Sequence, residues 1–159
     1  MIFKILILVL GVMLLAGIFR TWQIQASPSQ EIFLKGLVPS PKLDGLYRGI
    51  FVGHNTSWKG KKLNAAESNG INIFAGHNTA PGSNGQVEKY PFKTYVGKGL
   101  LDKNLDVLKI DYNVSGNPWW LKFIVDEVVQ TAPGEYLGKM QLNIIPGIPF
   151  GVLYFELKK

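Results

Sequence analysis

Residues 5–19 read ILILVLGVMLLAGIF without one polar side chain, between Lys4 on one side and Arg20 and Trp22 on the other. A helix built from them has no face to show water, so it belongs in a bilayer or a translocon. The run is longer than most signal-peptide cores, about 7 to 15 residues, and shorter than the ~20 that cross a bilayer. Adding Ile2, Phe3 and an interfacial Trp22 brings it to spanning length. The triplet Ile24-Gln25-Ala26 before Ser27-Pro28 matches a small-residue cleavage site poorly, because Ile24 is bulky. Segment 1–22 is therefore expected to be a retained membrane anchor, with secretion after cleavage as the alternative. Lys4 and Arg20 flank the run evenly and set no orientation. The remainder is placed on the extracytoplasmic side of the cell membrane because N-terminal signals of this type export the chain behind them.

Segment 23–43 carries Pro28, Pro39 and Pro41, which lack a backbone donor and force their predecessors out of helical geometry. It is expected to be a tether with an extended end. Its apolar patch, residues 32–34, either packs on the domain or rests at the lipid surface.

From residue 44 onward the texture changes to short apolar runs divided by Gly and Asn turns. Strands are expected at 46–52, 61–66, 71–75, 87–96, 107–114, 136–144 and 150–157. Leu108, Ile110, Tyr112 and Val114 alternate with Lys109, Asp111 and Asn113, as on an antiparallel sheet with one buried and one wet face. Closing such a sheet removes its edges and leaves an interior for side chains or a ligand. The fold class is thus mainly β: an antiparallel β-barrel spanning 44–159, with one α-helix before the last two strands, behind an N-terminal transmembrane helix. That helix is expected from Trp119 to Gln130, capped by Asn117 and Pro118 and ended by Pro133-Gly134. On it Trp120, Leu121, Ile124, Val125 and Val128 share a buried side, and Lys122 and Asp126 form a wet i,i+4 pair. Trp119 and Phe123 then project together, toward ligand, lipid or the linker.

The motif Gly45-Leu46-Tyr47-Arg48-Gly49, followed by Trp58-Lys59-Gly60-Lys61, resembles the opening of GXWXG-type small β domains, with Tyr47 standing where that pattern has Trp. A Tyr-Leu-Gly-Lys strand at 136–139 and the aromatic pair Tyr154-Phe155 continue the likeness. More distantly the chain is similar to lipocalin-like calycin barrels. The resemblance implies a barrel and a pocket, and carries over no catalytic residue.

Candidate sites are few. The only two histidines occur in repeated tetrapeptides, Gly53-His54-Asn55-Thr56 and Gly76-His77-Asn78-Thr79. An up-down-up meander would start both loops at one barrel mouth. The pair lacks a third partner at metal-ligand spacing, and Gly, Asn and Thr are also ordinary turn residues. The chain has no cysteine, which excludes disulfides, a thiolate metal site and a Cys nucleophile. Asp126 and Glu127, as neighbours, cannot act as a carboxylate pair on one substrate, and no phosphate loop or nucleophile elbow is present. The formal net charge is +6, with Lys59, Lys61 and Lys62 beside Trp58 and Lys158 and Lys159 at the end. Such clusters suit a solvated face, anionic lipid or an acidic ligand, and an exported chain seldom meets nucleic acid.

Three classes of function are consistent with these features. One is a membrane-anchored barrel holding a small hydrophobic or lipid-like ligand, with Tyr47, Trp58, His54, His77, Tyr112, Trp119 and Phe123 as ligand-binding candidates and no metal, cofactor or nucleic acid. Another is an enzyme with His54 or His77 as general base near Asp111 or Tyr112. The third is an interaction module whose barrel is filled by its own side chains. The lipid membrane is the one macroscopic partner expected in the first reading.

Overall fold

The computed structural model describes residues 1–53, 56–76 and 85–159. Helix α1 (Ile2–Gln25) carries the apolar run, and nearly all of its first 23 residues expose their side chains. At ~1.5 Å per residue its 24 residues reach about 36 Å, enough by length and composition to cross a membrane. A second helix, α2 (Pro28–Lys35), has Pro at its first position, where the missing N–H costs no hydrogen bond. The segment expected to be an extended tether is therefore partly helical. It is also docked: Phe33 is fully buried, while Ile32 and Leu34 face out.

Eight strands follow: β1 (Gly45–Phe51), β2 (Trp58–Asn64), β3 (Asn69–Ala75), β4 (Gln86–Lys98), β5 (Asp106–Asp111), β6 (Ile124–Ala132), β7 (Glu135–Ile145) and β8 (Ile148–Lys158). Each pairs antiparallel with the next, and β8 returns to β1, closing the barrel. The connections after β1, β3, β5 and β7 consequently lie at one end, here called the mouth. The connections after β2, β4 and β6 lie at the far end.

One expected element is overturned. Residues 124–132 form β6 rather than a helix, preceded by a single 3₁₀ turn at Leu121–Phe123. Asn117 is not a cap. Its side-chain amide donates to the carbonyls of Pro91 and Tyr112 at 2.8 Å each, tying β4 to the end of β5. The physical reason is double burial. The face of β6 bearing Ile124, Asp126 and Val128 looks into the barrel, whereas Glu127 and Val129 lie under α2 and the β4–β5 connection. A strand covered on both sides shows no apolar-polar alternation, so its apolar positions also satisfy a helical count.

The barrel interior holds Tyr47, Leu63, Phe92, Ile110, Val128, Tyr136 and Leu157, together with Leu43 from the segment before β1. These side chains fill its far half. A second apolar layer outside the wall joins Ile24 of α1, Phe33 of α2, Val107, Val129, Leu137 and Tyr154. Two glycines permit close packing near the mouth. Gly60 sits at φ 137° in a β-bulge, where any Cβ would fall 1.9 Å from the Tyr47 carbonyl oxygen. Gly49 leaves room for the Trp58 ring, which would come within 2.3 Å of a Cβ there.

Candidate functional site

The bulge at Gly60 shifts the register of β2, so that Lys61 turns inward with Leu63 while Lys59 and Lys62 face solvent. Lys61 is only 2% exposed. Its three ammonium protons have three acceptors: Asn72 Oδ1 at 2.9 Å, Asp126 Oδ2 at 2.9 Å and the Tyr112 hydroxyl. The rings of Trp58, Phe92, Tyr112 and Phe155 surround the ammonium, with centroids 5.1 to 5.4 Å away. An ammonium in such a cage gains cation–π attraction, larger where water is excluded.

The neighbours complete one another. Trp58 Nε1 donates to Asn72 Oδ1 at 3.1 Å, and Asn72 Nδ2 donates to the Tyr90 carbonyl at 3.0 Å. The Tyr112 hydroxyl donates to Asp126 Oδ2 at 3.0 Å. Among the described residues no donor lies on the other Asp126 oxygen, Oδ1. Burial pushes the Lys61 ammonium below its ordinary range, against the pull of Asp126. Burial and the Asp126 carboxylate hold the Tyr112 phenol well above its ordinary value. Lys61 is thus no solvated member of a basic cluster; it and Asp126 form a desolvated ion pair.

This network floors a cavity of about 240 Å³ that opens at the mouth. Its walls are largely apolar, with Phe51, Phe74, Tyr90, Leu121, Ile124 and Met140 among them, while Thr56, Ser57 and Trp120 stand near the opening. An eight-stranded barrel is just wide enough either to be filled by side chains or to hold one small ligand. This one does both: its far half is solid and its mouth half is hollow.

Of the residues singled out in the sequence, Trp58 and Tyr112 line the cavity. Tyr47 is buried in the solid half, edge-on to Tyr136 at 5.5 Å, and its hydroxyl accepts from the Asp44 amide at 3.3 Å. Trp119 is 75% exposed, and its ring meets Phe123 at 6.3 Å on the outside of the barrel. The two aromatics do project together, but from a loop and turn rather than a helix. Asp111 points outward, 3.3 Å from Lys93 Nζ, away from Tyr112. Asp126 does not pair with Lys122, since it is engaged by Lys61. His54 and His77 lie outside the described residues.

Sequence reasoning missed Lys61, Asn72 and Asp126. A signal existed for the first: counting back by two from Leu63 puts Lys61 on the inward face. For Asp126 there was none while its strand read as a helix. No protein-family model matches this chain, nor does any curated protein or any solved structure.

Proposed function

We propose that this chain is a membrane-anchored envelope protein that binds a small hydrophobic or lipid-like molecule in the mouth half of its barrel. The observation that carries the reading is the 240 Å³ apolar cavity closed at its base by the Lys61–Asp126 pair. Ligand pockets are typically concave and mostly apolar, with a few polar groups fixing orientation, and span about 300 to 1,000 Å³. This cavity falls just below that range, so it suits a single ring system or one end of an acyl chain rather than a whole two-chain lipid. Lys61 has no proton left for a ligand. Asp126 Oδ1 meets no donor among the described residues, which favours an apolar molecule carrying one hydroxyl or amine donor. Retention of α1 is favoured by Ile24, buried against the barrel, because cleavage near residue 26 would strip it from the outer apolar layer. The domain is placed on the extracytoplasmic side, by the logic of an exported leader. The calycin resemblance agrees with this architecture and belongs to the same proposal.

Naphthol, an apolar ring system with one hydroxyl, and naphthalene, which lacks the donor, test the reading on the full chain in detergent. Naphthol is expected to stabilise the fold by about 2.7 kcal/mol at a hundredfold excess over its Kd, and naphthalene by less. Met140→Trp, which fills the cavity, is expected to abolish the shift. Equal stabilisation of the parent chain and Met140→Trp would overturn the proposal.

A further inference from the structure

The outer edge of β8 shows which way the barrel faces. β1 pairs with β8 only from Arg48–Lys158 to Phe51–Phe155, and one more bond runs from the Val52 amide to the Tyr154 carbonyl. Residues 148–153 therefore project past β1 toward the mouth, about 20 Å of strand at ~3.3 Å per residue. Helix α1 lies along this free edge. Arg20 Nε donates to the Val152 carbonyl at 2.9 Å, and the Gly151 amide donates to Thr21 Oγ1 at 3.0 Å. The Phe150 ring rests on Gly17, where a Cβ would come within 2.8 Å of it.

The chain then runs away from the mouth. After α2, Leu37 bridges to Gln130 near the far end of β6, and β1 begins at that same end. Along α1 itself Gly17 meets Phe150, at the mouth end of β8, whereas Ile24 joins Tyr154, Leu137 and Val129 in the outer apolar layer, so the exposed residues 2–16 continue toward the mouth side. The β7–β8 hairpin extends the same way, exposing Ile144, Ile145 and Ile148 by 53%, 41% and 49%. Trp119 and Trp120, on the β5–β6 connection, flank the mouth at the same end, exposed by 75% and 48%. Trp side chains favour the layer between water and hydrocarbon, and clustered apolar side chains bury in it.

We infer that the mouth end of the barrel is a second membrane-contacting surface: the hairpin tip and the Trp119–Trp120 pair sit in the headgroup layer beside α1. The inference rests on the retained anchor of the proposed function, and it makes the cavity open onto lipid rather than onto bulk water. A hydrophobic ligand then enters from the bilayer without crossing the aqueous phase. The hairpin and tryptophans also fix the tilt of the barrel on a membrane to which α1 alone would tether it.

The absence of cysteine makes the test clean. Single cysteines replacing Val9, Trp119, Ile145, Ile148 and Pro133 are labelled with an environment-sensitive fluorophore in the full chain. The protein is reconstituted in phosphatidylcholine–phosphatidylglycerol vesicles containing spin-labelled lipids quenching at known depths. The label at position 9 is expected to be quenched deep in the bilayer and those at positions 119, 145 and 148 at headgroup depth. The label replacing Pro133, an exposed residue in the far-end β6–β7 turn, is expected to stay unquenched. Quenching at position 9 with none at the three mouth positions overturns the inference and leaves the anchor standing. No quenching at position 9 overturns both. Headgroup-depth quenching at the mouth supports the inference even where naphthol fails to bind, so the membrane contact and the ligand reading fail separately.

Discussion

The barrel buries lysines against carboxylates on both sides of its wall, Lys61 inside and Lys139 and Lys109 outside. Inside, Lys61 meets Asp126, Tyr112 and Asn72 within a ring of aromatics. Outside, Lys139 of β7 donates to Asp102 Oδ2 and lies 4.8 Å from the Phe33 ring centroid. There Gln30 of α2 donates to Asp102 Oδ1 at 2.8 Å and accepts from the Tyr154 hydroxyl. Beside it Lys109 sits 3.3 Å from Glu127 Oε1, which also accepts from the Leu100 amide at 2.6 Å. Desolvation pushes the Lys139 ammonium down, the Glu127 carboxyl up and the Tyr154 phenol up. Perturbed ionisation alone therefore does not mark a binding site. The two centres differ in what borders them. The outer one is covered by α2 and the β4–β5 connection and acts as a clasp holding α2 on the barrel. The inner one floors the largely apolar cavity inside the barrel, where a ligand would meet its polar groups.

The largest expected effect comes from breaking the inner pair. Lys61→Met removes the counter-charge of Asp126 in a desolvated site and leaves it only the Tyr112 hydroxyl as donor, which should cost about 3–5 kcal/mol in denaturant unfolding of the full chain. Adding Asp126→Leu should restore much of the loss, because an apolar pair replaces a costly desolvated one. Failure of the double variant to recover would mean that the pair specifies the barrel rather than merely neutralising itself.

Next in size is the outer clasp. Lys139→Met should cost about 1–3 kcal/mol, since Asp102 keeps its bond from Gln30. Its signature is local. Proteolysis within residues 26–44 should accelerate while naphthol affinity stays unchanged, whereas Lys61→Met should reduce naphthol affinity. Equal loss of binding in both variants would erase the distinction between the centres.

A smaller effect lies in alkaline pH. Tyr112 keeps its proton in the folded barrel above the value near 10 at which an unfolded tyrosine loses it. The folded state then binds more protons than the unfolded one. Its stabilising contribution is complete below pH ~10 and declines as pH climbs through the raised folded value. Tyr112→Phe should flatten the stability profile above pH ~10, and Tyr154→Phe should flatten it in the same sense.

The smallest effects belong to the surface. The exposed Lys62–Glu88 pair, 3.2 Å apart, should contribute under about 1 kcal/mol, and Lys62→Ala should barely move the unfolding midpoint. Trp119→Ala should change stability by no more than about 0.5 kcal/mol, although it removes one of the bilayer contacts inferred for the mouth. A large loss from Trp119→Ala in detergent would show that the ring supports the fold itself.

Sequence alone determined the apolar span and most of the barrel. A run with no polar side chain belongs in a bilayer or a translocon, and strands wetted on one face, such as 108–114, declare themselves through period-two alternation. The antiparallel arrangement followed from that same one-sided wetting. Tertiary structure decided whatever depended on what covers an outer face or how a register shifts. Covering β6 with α2 and the β4–β5 connection erased its alternation and made it resemble a helix. Period-two counting separates Lys61 from Lys62 but puts Lys59 on the same face as Lys61, and only the bulge at Gly60 turned Lys59 outward. The meeting of Lys61 with Asp126 joins strands β2 and β6, 65 residues apart, which no local pattern encodes. Only closure of the wall brings their side chains into one desolvated space, where an unpaired charge would be too costly to keep.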